Sequence, residues 1–430
     1  TQTAWEPYTV SLRIVNWIKF LLRFDGRVSP SVVRSLALQS HWLYQNIELH
    51  ILANHLFKNI KALLFAGTWL QGEAPTRWFA RAQTLLHEQL REQLLIDGGH
   101  YERSPMYHSI FVEDLLDLLN YRVPGCYRNE TLALLENSAL QASLFLRDIR
   151  MPDGQIPLFN DAAFAIAPEP DVILDYSRRV LNKDLSDTQH FPRQISFPAT
   201  GYFIIGEGDD RLIIDCGETG PRYQPGHTHC DTLSFELAIK GQRVIVDTGT
   251  YDYEPGAKRR YDRSTAAHNT LMIDGIDQSE VWGLFRVARR ASPLSADLSI
   301  EADGKAVFCG SHDGYQRLRS KLTHVRQVNF DPARGWRIED TVTGRGEHRI
   351  ESFIHLHPRL QPQENGGQGF RLLDADGKAV AEIVIAEGLD ADVSNTVYHP
   401  QFGVEQPCKV IRILYKGEVP ATLGYDINIL

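Results

Sequence analysis

The first part of the chain carries the hydrophobic spacing of helices. Apolar residues recur every three or four positions from Val32 to about Leu70 and again from Trp78 to Leu95. Ser104-Pro105 has the form of an N-cap followed by proline at the first helical position. A further helical pattern covers residues 131–149. Consecutive helices with short connections predict an antiparallel array of helical hairpins.

The pattern changes to short β-branched and aromatic runs near residue 191. Residues 201–206 and 211–216 flank a Glu-Gly-Asp-Asp turn, and residues 231–239 and 243–247 flank a Lys-Gly turn. Both pairs predict β-hairpins. Helices followed by strands indicate two packed domains rather than a parallel α/β fold. We therefore expect an α-helical domain over residues 1–190 and an antiparallel β domain over residues 191–430.

Composition narrows the possible functions. The 430 residues carry a net charge of −9, which disfavours broad nucleic-acid binding because that needs a basic surface. The five cysteines form no Cys-x-x-Cys pair, which argues against a disulfide framework and a zinc-thiolate site. We expect no membrane span, because no stretch approaches 18 uninterrupted apolar residues. The chain starts at Thr1, and its beginning does not have the pattern of a signal peptide.

A His-x-His motif is the most informative chemical feature. His227 and His229 precede an apolar run and would share one face if that segment were a strand. Asp247 ends the next apolar run, and His268 follows downstream. Two imidazoles and a carboxylate suit zinc or a similar divalent ion, so His229, Asp247 and His268 are candidate ligands. The alternative is ordinary hydrogen-bonded histidines.

Three other segments place polar groups where chemistry is possible. The loop 250–263 is rich in tyrosine and arginine, including Tyr251, Arg260 and Arg263, and could form an anion-binding wall. Asn54-His55 lies on an early helix, where a polar helix flank is the simpler interpretation. Tyr107 lies in the first turn of the helix that opens at Ser104-Pro105, where it is either catalytic or a packed aromatic.

Taken in order, these motifs resemble the heparinase II/III superfamily, which includes exolytic alginate lyases. The resemblance rests on six segments spread over residues 50–270: Asn54-His55, Arg103-Ser104-Pro105-Met106-Tyr107-His108, Pro152-Asp153-Gly154 with Asn160-Asp161, His227-Thr228-His229-Cys230-Asp231, Asp247-Thr248-Gly249-Thr250-Tyr251, and Ala267-His268-Asn269-Thr270. It implies an incomplete (α/α) toroid followed by an antiparallel β-sandwich, with the active site in the cleft between them.

The resemblance also implies a reaction, β-elimination in a polymer that contains uronic acid. Asn54 would hold and neutralise the substrate carboxylate, with His55 beside it. Tyr107 would protonate the leaving oxygen, and His227 would lie near the C5 proton. Tyr251 would be a second catalytic tyrosine, although Tyr253 and Tyr261 compete for that role.

The remaining implied roles concern the metal and the substrate. His229, Asp247 and His268 would bind a divalent ion, most simply zinc, which we expect to brace the loops. Arg103, Arg260 and Arg263 are candidates for binding an acidic polysaccharide, because the arginine fork suits carboxylate and sulfate groups. A periplasmic or secreted location is expected for an enzyme acting on such a polymer.

Other functions remain open at this point. A glycoside hydrolase on a helical toroid would need two opposed carboxylates, for which Glu102, Asp153 and Asp161 are available. A cupin-type oxygenase would use the His-x-His motif but would not explain Asn54 or Tyr107. A non-catalytic polysaccharide-binding protein would bind the polymer without forming product.

Overall fold

The computed structural model describes residues 2–185, 194–366 and 368–430, and these form two compact units. The first unit is helical and contains the chain up to Tyr101 together with Tyr107–Phe145 and Val172–Leu185. The second contains Glu102–Met106, Leu146–Asp171 and the chain from the first strand to the end. The predicted order of helices followed by antiparallel sheets is confirmed. The predicted boundary at residues 190 and 191 lies outside the described residues.

Eight α-helices are described, seven of them before the first strand. Two short 3-10 segments, Gln2–Trp5 and Thr265–Ala267, accompany them. The α-helices are α1 (Pro7–Leu21), α2 (Pro30–Gln45), α3 (Ala53–Trp69), α4 (Glu73–Gln93), α5 (Pro105–Asn120), α6 (Asn129–Ile149), α7 (Pro170–Leu181) and α8 (Ala257–Asp262).

Helix α3 is largely buried in the first unit and packs against α1, α2 and α4. The sequence predicted one helical pattern from Val32 to Leu70, but the structure breaks it between α2 and α3. The helix cannot continue through this point, because Leu52 and Ala53 have φ values of 66° and 52°, whereas a right-handed helix needs negative φ. The predicted helix at Ser104-Pro105 is confirmed, since α5 begins at Pro105.

The β part contains nineteen described strands. They are β1 (Gln194–Phe197), β2 (Tyr202–Glu207), β3 (Asp210–Asp215), β4 (Phe235–Ile239), β5 (Gln242–Ile245), β6 (Leu271–Ile273), β7 (Val281–Trp282), β8 (Arg286–Val287), β9 (Pro293–Ile300), β10 (Ala306–His312), β11 (Thr323–Asp331), β12 (Gly335–Thr343), β13 (Glu347–His355), β14 (Gln361–Glu364), β15 (Gly369–Leu373), β16 (Ala379–Ile385), β17 (Asp390–Gln401), β18 (Val404–Glu418) and β19 (Ala421–Ile429).

These strands form antiparallel sheets around one hydrophobic core. A five-stranded sheet runs in sequence order β1 to β5, an eight-stranded sheet has the order β14-β15-β16-β19-β12-β11-β10-β9, and a four-stranded sheet has the order β17-β18-β13-β6. Strands β7 and β8 form a separate hairpin. The core takes buried side chains from all three larger sheets, for example Leu237, Ile338 and Ile411. Burial of this apolar surface is the main stabilising contribution to the unit.

Both predicted hairpins are present, but the second begins later than expected. Strand β2 pairs with β3 and β4 pairs with β5, with Lys240 and Gly241 at positive φ in the second turn. The segment predicted as strand from Asp231 is a loop up to Phe235. Leu233 at φ 67° and the Ser234 amide bonded to the Asp231 carbonyl make a tight turn there. His227 and His229 therefore lie in a loop, and the strand prediction for them was wrong.

Two predictions from composition can be compared with the structure. All five cysteines are free, as the absence of a paired motif indicated. Within the described part of the chain, no helix is both long enough and apolar enough to cross a membrane.

A buried ion pair connects the eight-stranded sheet to the loops of the β unit. Arg326 on β11 binds Asp340 on β12 through two nitrogens, each at 2.7 Å. The same guanidinium donates to the carbonyl of Leu233 at 2.5 Å and to that of Asn269 at 2.6 Å. Both acceptors belong to loops that carry candidate site residues, Asp231 and His268.

We expect Arg326→Ala to destabilise the β unit by about 3–5 kcal/mol, because it leaves the fully buried Asp340 without its counter-ion. Unfolding in urea, followed by tryptophan fluorescence, measures the loss. Arg334→Ala removes an exposed arginine from the same sheet region and is the matched control, with an expected change within about 0.5 kcal/mol. Equal stability of the two variants would contradict this interpretation.

Candidate active site

A buried carboxylate, Asp161, lies at the centre of the candidate site. Its Oδ1 accepts a hydrogen bond from Nε2 of His229 at 2.7 Å, and its Oδ2 accepts one from Nδ1 of His227 at 2.9 Å. Arg259 completes the group with a two-nitrogen ion pair, in which Nη2 lies 2.9 Å from Oδ2. Asp161 is 0% exposed, so three cationic or donor groups offset the cost of burying this charge.

The ionisation of Asp161 determines which nitrogen carries the proton in each of the two histidines bonded to it. Burial alone would raise the pKa of Asp161, but Arg259 and the hydrogen bonds from His227 and His229 hold that pKa well below its ordinary value. An ionised Asp161 only accepts, so each histidine nitrogen that faces it carries a proton. The lone pair of neutral His227 is therefore on Nε2, and that of neutral His229 is on Nδ1.

His227 is the histidine of this group with access to solvent. Its side chain is 13% exposed, whereas that of His229 is 0% exposed. Nε2 of His227 lies 3.7 Å from the Glu102 carboxylate, and the ring packs beside Tyr253 and Phe285. An imidazole that is held by a carboxylate at one nitrogen and is partly exposed to solvent has the arrangement of a general base.

The three competing tyrosines of the loop have different surroundings. Tyr253 packs its ring 6.1 Å from His227 and 4.9 Å from the Arg259 guanidinium. The Tyr261 hydroxyl bonds Thr396 at 2.6 Å, and burial raises its pKa, so it is not suited to act as a base. Tyr251 packs against His399 and under Lys258, whose Nζ is 3.5 Å from the ring centre. A catalytic role for Tyr251 stays a prediction, and Tyr253 is the tyrosine beside His227.

A second group of side chains fits a divalent cation. Among the residues that the structure describes, His229, Asp231 and His268 bring one ligand atom each to within 4.8 Å of one another, and all three are buried. Nδ1 of His229 and Nε2 of His268 have no hydrogen-bond partner. Two buried imidazole nitrogens without partners, next to a carboxylate, are a donor set that suits zinc.

The three side chains of this group differ in protonation when no cation is bound. Burial lowers the pKa of His229 to about 3, so the ring is neutral, as a ligand requires. Burial opposes the charged form of His268, yet Asp247 and then Asp231 raise its pKa to about 9. A proton on Nε2 of His268 would lie buried without an acceptor, and a cation at that nitrogen would replace it. Burial raises the pKa of Asp231 to about 6, and a cation would keep this carboxylate ionised.

The carboxylate that groups with both histidines is Asp231, whereas the sequence pointed to Asp247. Asp247 is 0% exposed and binds Nδ1 of His268 through Oδ2 at 2.7 Å. Its Oδ1 accepts the Gly249 amide at 3.1 Å. Asp247 thus orients His268 in the manner of a carboxylate–histidine–metal group. His229 and His268 come together as predicted, and direct ligation by Asp247 stays a prediction.

The three arginines predicted to bind substrate differ in their surroundings. Arg263 is 1% exposed and donates to the carbonyls of Thr228, Gly283 and Arg286. We therefore correct its predicted role, because its donors are used inside the fold rather than presented to a substrate. Arg103 donates to two backbone carbonyls at residues 199 and 200, and Arg260 is exposed. Substrate binding by Arg103 and Arg260 stays a prediction.

The predicted residues of the helical unit lie at the starts of two helices. Asn54 and His55 are in the first turn of α3, where Nδ1 of His55 lies 3.1 Å from Glu48 and its ring packs on Tyr8. Tyr107 is the third residue of α5 and is partly buried. Both positions place polar side chains at helix N-termini, where backbone amides favour negative charge.

The lyase prediction from the sequence assigned no role to Asp161, Arg259 or Asp231. Asp161 was noted within the Asn160-Asp161 motif, and Asp231 within the His-x-His motif. Their charge could not be located without the loops that bury them. One sequence signal was available for Arg259: it is the middle of three consecutive basic residues in the loop 250–263, and of the three it alone is buried.

The comparisons with known proteins place this chain in a family. The profile described as "Heparinase II/III N-terminus" matches residues 1–170, and the profile described as "Heparinase II/III-like, C-terminal" matches residues 191–425. The second match alone covers more than half of the chain. The chain belongs to the heparinase II/III family, as the ordered motifs indicated.

Individual relatives are distant. A heparin-sulfate lyase of Bacteroides stercoris is 24% identical over an alignment of 310 residues, which covers 64% of this chain and 45% of that protein. The FtsZ-localized protein C of Caulobacter vibrioides is 25% identical over an alignment of 314 residues, which covers 68% of this chain and 51% of that protein. The chain spans about half the length of the curated relatives it matches.

The fold is shared with a solved structure. The crystal structure of heparinase III superposes with a TM-score of 0.80 at 18% identity, covering 99% of this chain and 69% of that one. This likeness confirms the predicted fold class, a helical toroid part followed by antiparallel β-sheets.

We expect His229→Ala and His268→Ala each to remove a bound zinc ion, because each deletes one of the two buried imidazole donors. Elemental analysis of the purified, dialysed proteins measures the metal. His41→Ala, which removes an exposed histidine from α2, is the matched control and should retain the metal content of the parent protein. Full zinc content in either site variant would overturn the assignment.

Asp231→Asn and Asp247→Asn separate a ligand from an orienting residue. Replacing an orienting carboxylate weakens zinc binding by about 10–100-fold, whereas replacing a ligand should abolish stoichiometric binding. We expect the larger loss for Asp231→Asn, measured by competition with a zinc chelator. A larger loss for Asp247→Asn would return Asp247 to the ligand set.

Proposed function

We propose that this protein is a polysaccharide lyase that cleaves a uronic-acid-containing polymer by β-elimination. The observation that carries the proposal is the pairing of Asp161 with His227, which leaves a partly exposed imidazole with its lone pair on Nε2. Family membership supports the same reaction class. The heparin-sulfate lyases that resemble this chain act on an acidic polysaccharide according to their name, and we propose an acidic polysaccharide as substrate here too.

The reaction begins at the C5 proton of the uronate. This proton is only weakly acidic while the neighbouring carboxylate is fully charged, so the developing enediolate needs hydrogen bonds or positive charge. Asn54, with His55 beside it, supplies that stabilisation in our proposal. Nε2 of His227 takes the proton, and Asp161 stabilises the imidazolium that forms.

The second half of the reaction breaks the bond between C4 and the glycosidic oxygen. The electron pair of the C5–H bond becomes the C4=C5 double bond, and the leaving oxygen takes a proton from the Tyr107 phenol. His227 then returns its proton to solvent and the Tyr107 phenolate regains one, so the enzyme is restored. A neutral phenol can donate its proton to the leaving oxygen and so serve as this acid.

A zinc ion, when bound by His229, His268 and a carboxylate, would supply positive charge and hold together the loops that carry these histidines. We propose that this role is structural, because the donors come from the same unit and His229 lies in the loop that carries His227. Stripping the metal should therefore lower the melting temperature together with activity. Loss of activity with unchanged melting temperature and unchanged substrate binding would contradict the structural role.

Two other functions would be distinguished from a lyase by their products: a hydrolase gives a different product, and a binding protein gives none. A glycoside hydrolase needs two carboxylates about 5–10 Å apart that can act as acid and base. Asp161 is bonded to three cationic or donor groups and is not suited to that work. A non-catalytic binding function is the second alternative, because this chain also resembles an FtsZ-localized protein, whose name describes no reaction.

We further propose a periplasmic or secreted location, where such polymers occur.

Tyr107→Phe should lower turnover by about 10²–10⁴-fold, because it removes the phenol that supplies the proton to the leaving oxygen. The absorbance of the unsaturated product in the near ultraviolet measures the rate on a panel of uronate polymers. Tyr44→Phe on α2 is the matched control and should keep the parent rate. Near-normal turnover in Tyr107→Phe would remove Tyr107 from the mechanism.

His227→Gln should lower the rate by a comparable factor while the protein still binds the polymer, because glutamine keeps a hydrogen-bond donor to Asp161 but is not a base. Rates and affinity are measured separately, the latter by calorimetry. A cleavage product without the ultraviolet absorbance would show hydrolysis, and polymer binding without any product would favour the binding function.

A further inference from the structure

A groove on the β unit, separate from the residues assigned above, has the composition of a saccharide site. It encloses about 680 Å³, which is within the range for small-ligand sites. It lies around the β7–β8 hairpin, and the residues that matter here are Trp282, Glu280, Arg289, Arg317 and Arg319.

Trp282 provides an exposed aromatic surface. The side chain is 58% exposed, which is high for the largest apolar residue, and its partner across the hairpin is Arg286. The Arg286 guanidinium lies 5.5 Å from the ring centre, over one part of the indole. A flat aromatic surface flanked by a cation suits the C–H face of a sugar that carries an acidic substituent.

The charges of the groove are opposite to those of the chain as a whole. The chain carries −9, whereas the groove has three arginines against Asp277 and Glu280. Both carboxylates are already engaged. Glu280 forms a two-nitrogen ion pair with Arg289 at 2.5 and 2.7 Å, and Asp277 accepts the Thr265 amide at 2.8 Å. Arg319 is exposed, and the exposed Arg286 adds a further charge beside Trp282.

The hairpin is joined directly to the catalytic group. Arg259, which binds Asp161, also donates to the Leu284 carbonyl at the hairpin tip at 2.8 Å. Phe285 at the same tip packs 6.2 Å from the His227 ring. One short hairpin therefore carries Phe285 beside His227 and Trp282 on the groove.

We propose that this groove is an additional subsite for the acidic polysaccharide, in which Trp282 stacks on a sugar ring while Arg286 and Arg319 bind its carboxylate or sulfate. The inference rests on the proposed lyase function, because it extends the substrate beyond the sugar at His227. It implies that chains of several sugars bind more tightly than a disaccharide.

The test uses the full chain carrying Tyr107→Phe, so that the ligand stays intact. Calorimetry measures binding of a heparan sulfate octasaccharide, which carries carboxylates and sulfates, an alginate octasaccharide, which carries carboxylates alone, and neutral maltooctaose. We expect Trp282→Ala and Arg319→Gln each to weaken binding of an acidic octasaccharide by about tenfold or more. Preference for heparan sulfate identifies sulfate as the recognised anion, and equal binding of both acidic ligands identifies the carboxylate.

Controls keep the test specific. Trp282→Phe retains an aromatic surface and should recover most of the affinity. Trp17→Ala and Arg334→Gln remove an exposed tryptophan and an exposed arginine elsewhere and should bind as the parent does. Unchanged affinity in Trp282→Ala and Arg319→Gln, or equal binding of maltooctaose, overturns the subsite. If the protein without Tyr107→Phe still forms unsaturated product, the lyase function survives that failure; if it forms none, both proposals fall.

Discussion

The candidate active site depends on one buried charge, the carboxylate of Asp161. Burying a lone carboxylate costs several kcal/mol, and here the Arg259 guanidinium and two imidazoles offset that cost. The same contacts have chemical consequences, because an ionised acceptor fixes the proton of each histidine on the nitrogen that faces it. His227 is left with its lone pair on Nε2, and His229 is left with one toward His268 and Asp231. A single side chain thus sets the proton positions on the proposed base, His227, and on a proposed metal ligand, His229.

The surrounding sheet holds the loops that make this arrangement possible. Arg326 is fully buried, and its guanidinium donates hydrogen bonds to Asp340 and to the carbonyls of Leu233 and Asn269. Those carbonyls belong to the two loops that carry Asp231 and His268. The Asn269 side chain adds bonds to the Phe235 and Val246 carbonyls. Loops that would otherwise be mobile are therefore tied to strands, which is what a preorganised site requires.

Much of the fold and part of the site could be predicted from the sequence. Periodicity and turn chemistry located the hairpins β2–β3 and β4–β5, since a Lys-Gly pair at positive φ matches a two-residue turn. The convergence of His227 and His229 was predicted for the wrong reason, because a loop rather than a strand brings them together. Burial of Asp161 was not predictable, since the sequence around an aspartate does not show whether its carboxylate is solvated or paired with a cation. The choice of Arg259 over its neighbours depends on a tertiary contact, because successive residues of α8 point about 100° apart.

The most direct measurement of the central claim is ¹⁵N NMR of the histidine rings in selectively labelled protein. His227→Gln identifies the His227 signals by their loss, and His41→Ala shows that an unrelated histidine leaves them unchanged. The account predicts that neutral His227 carries its proton on Nδ1 and that Asp161→Asn disturbs this preference. A proton on Nε2 of neutral His227, or signals that Asp161→Asn leaves unaltered, would contradict it.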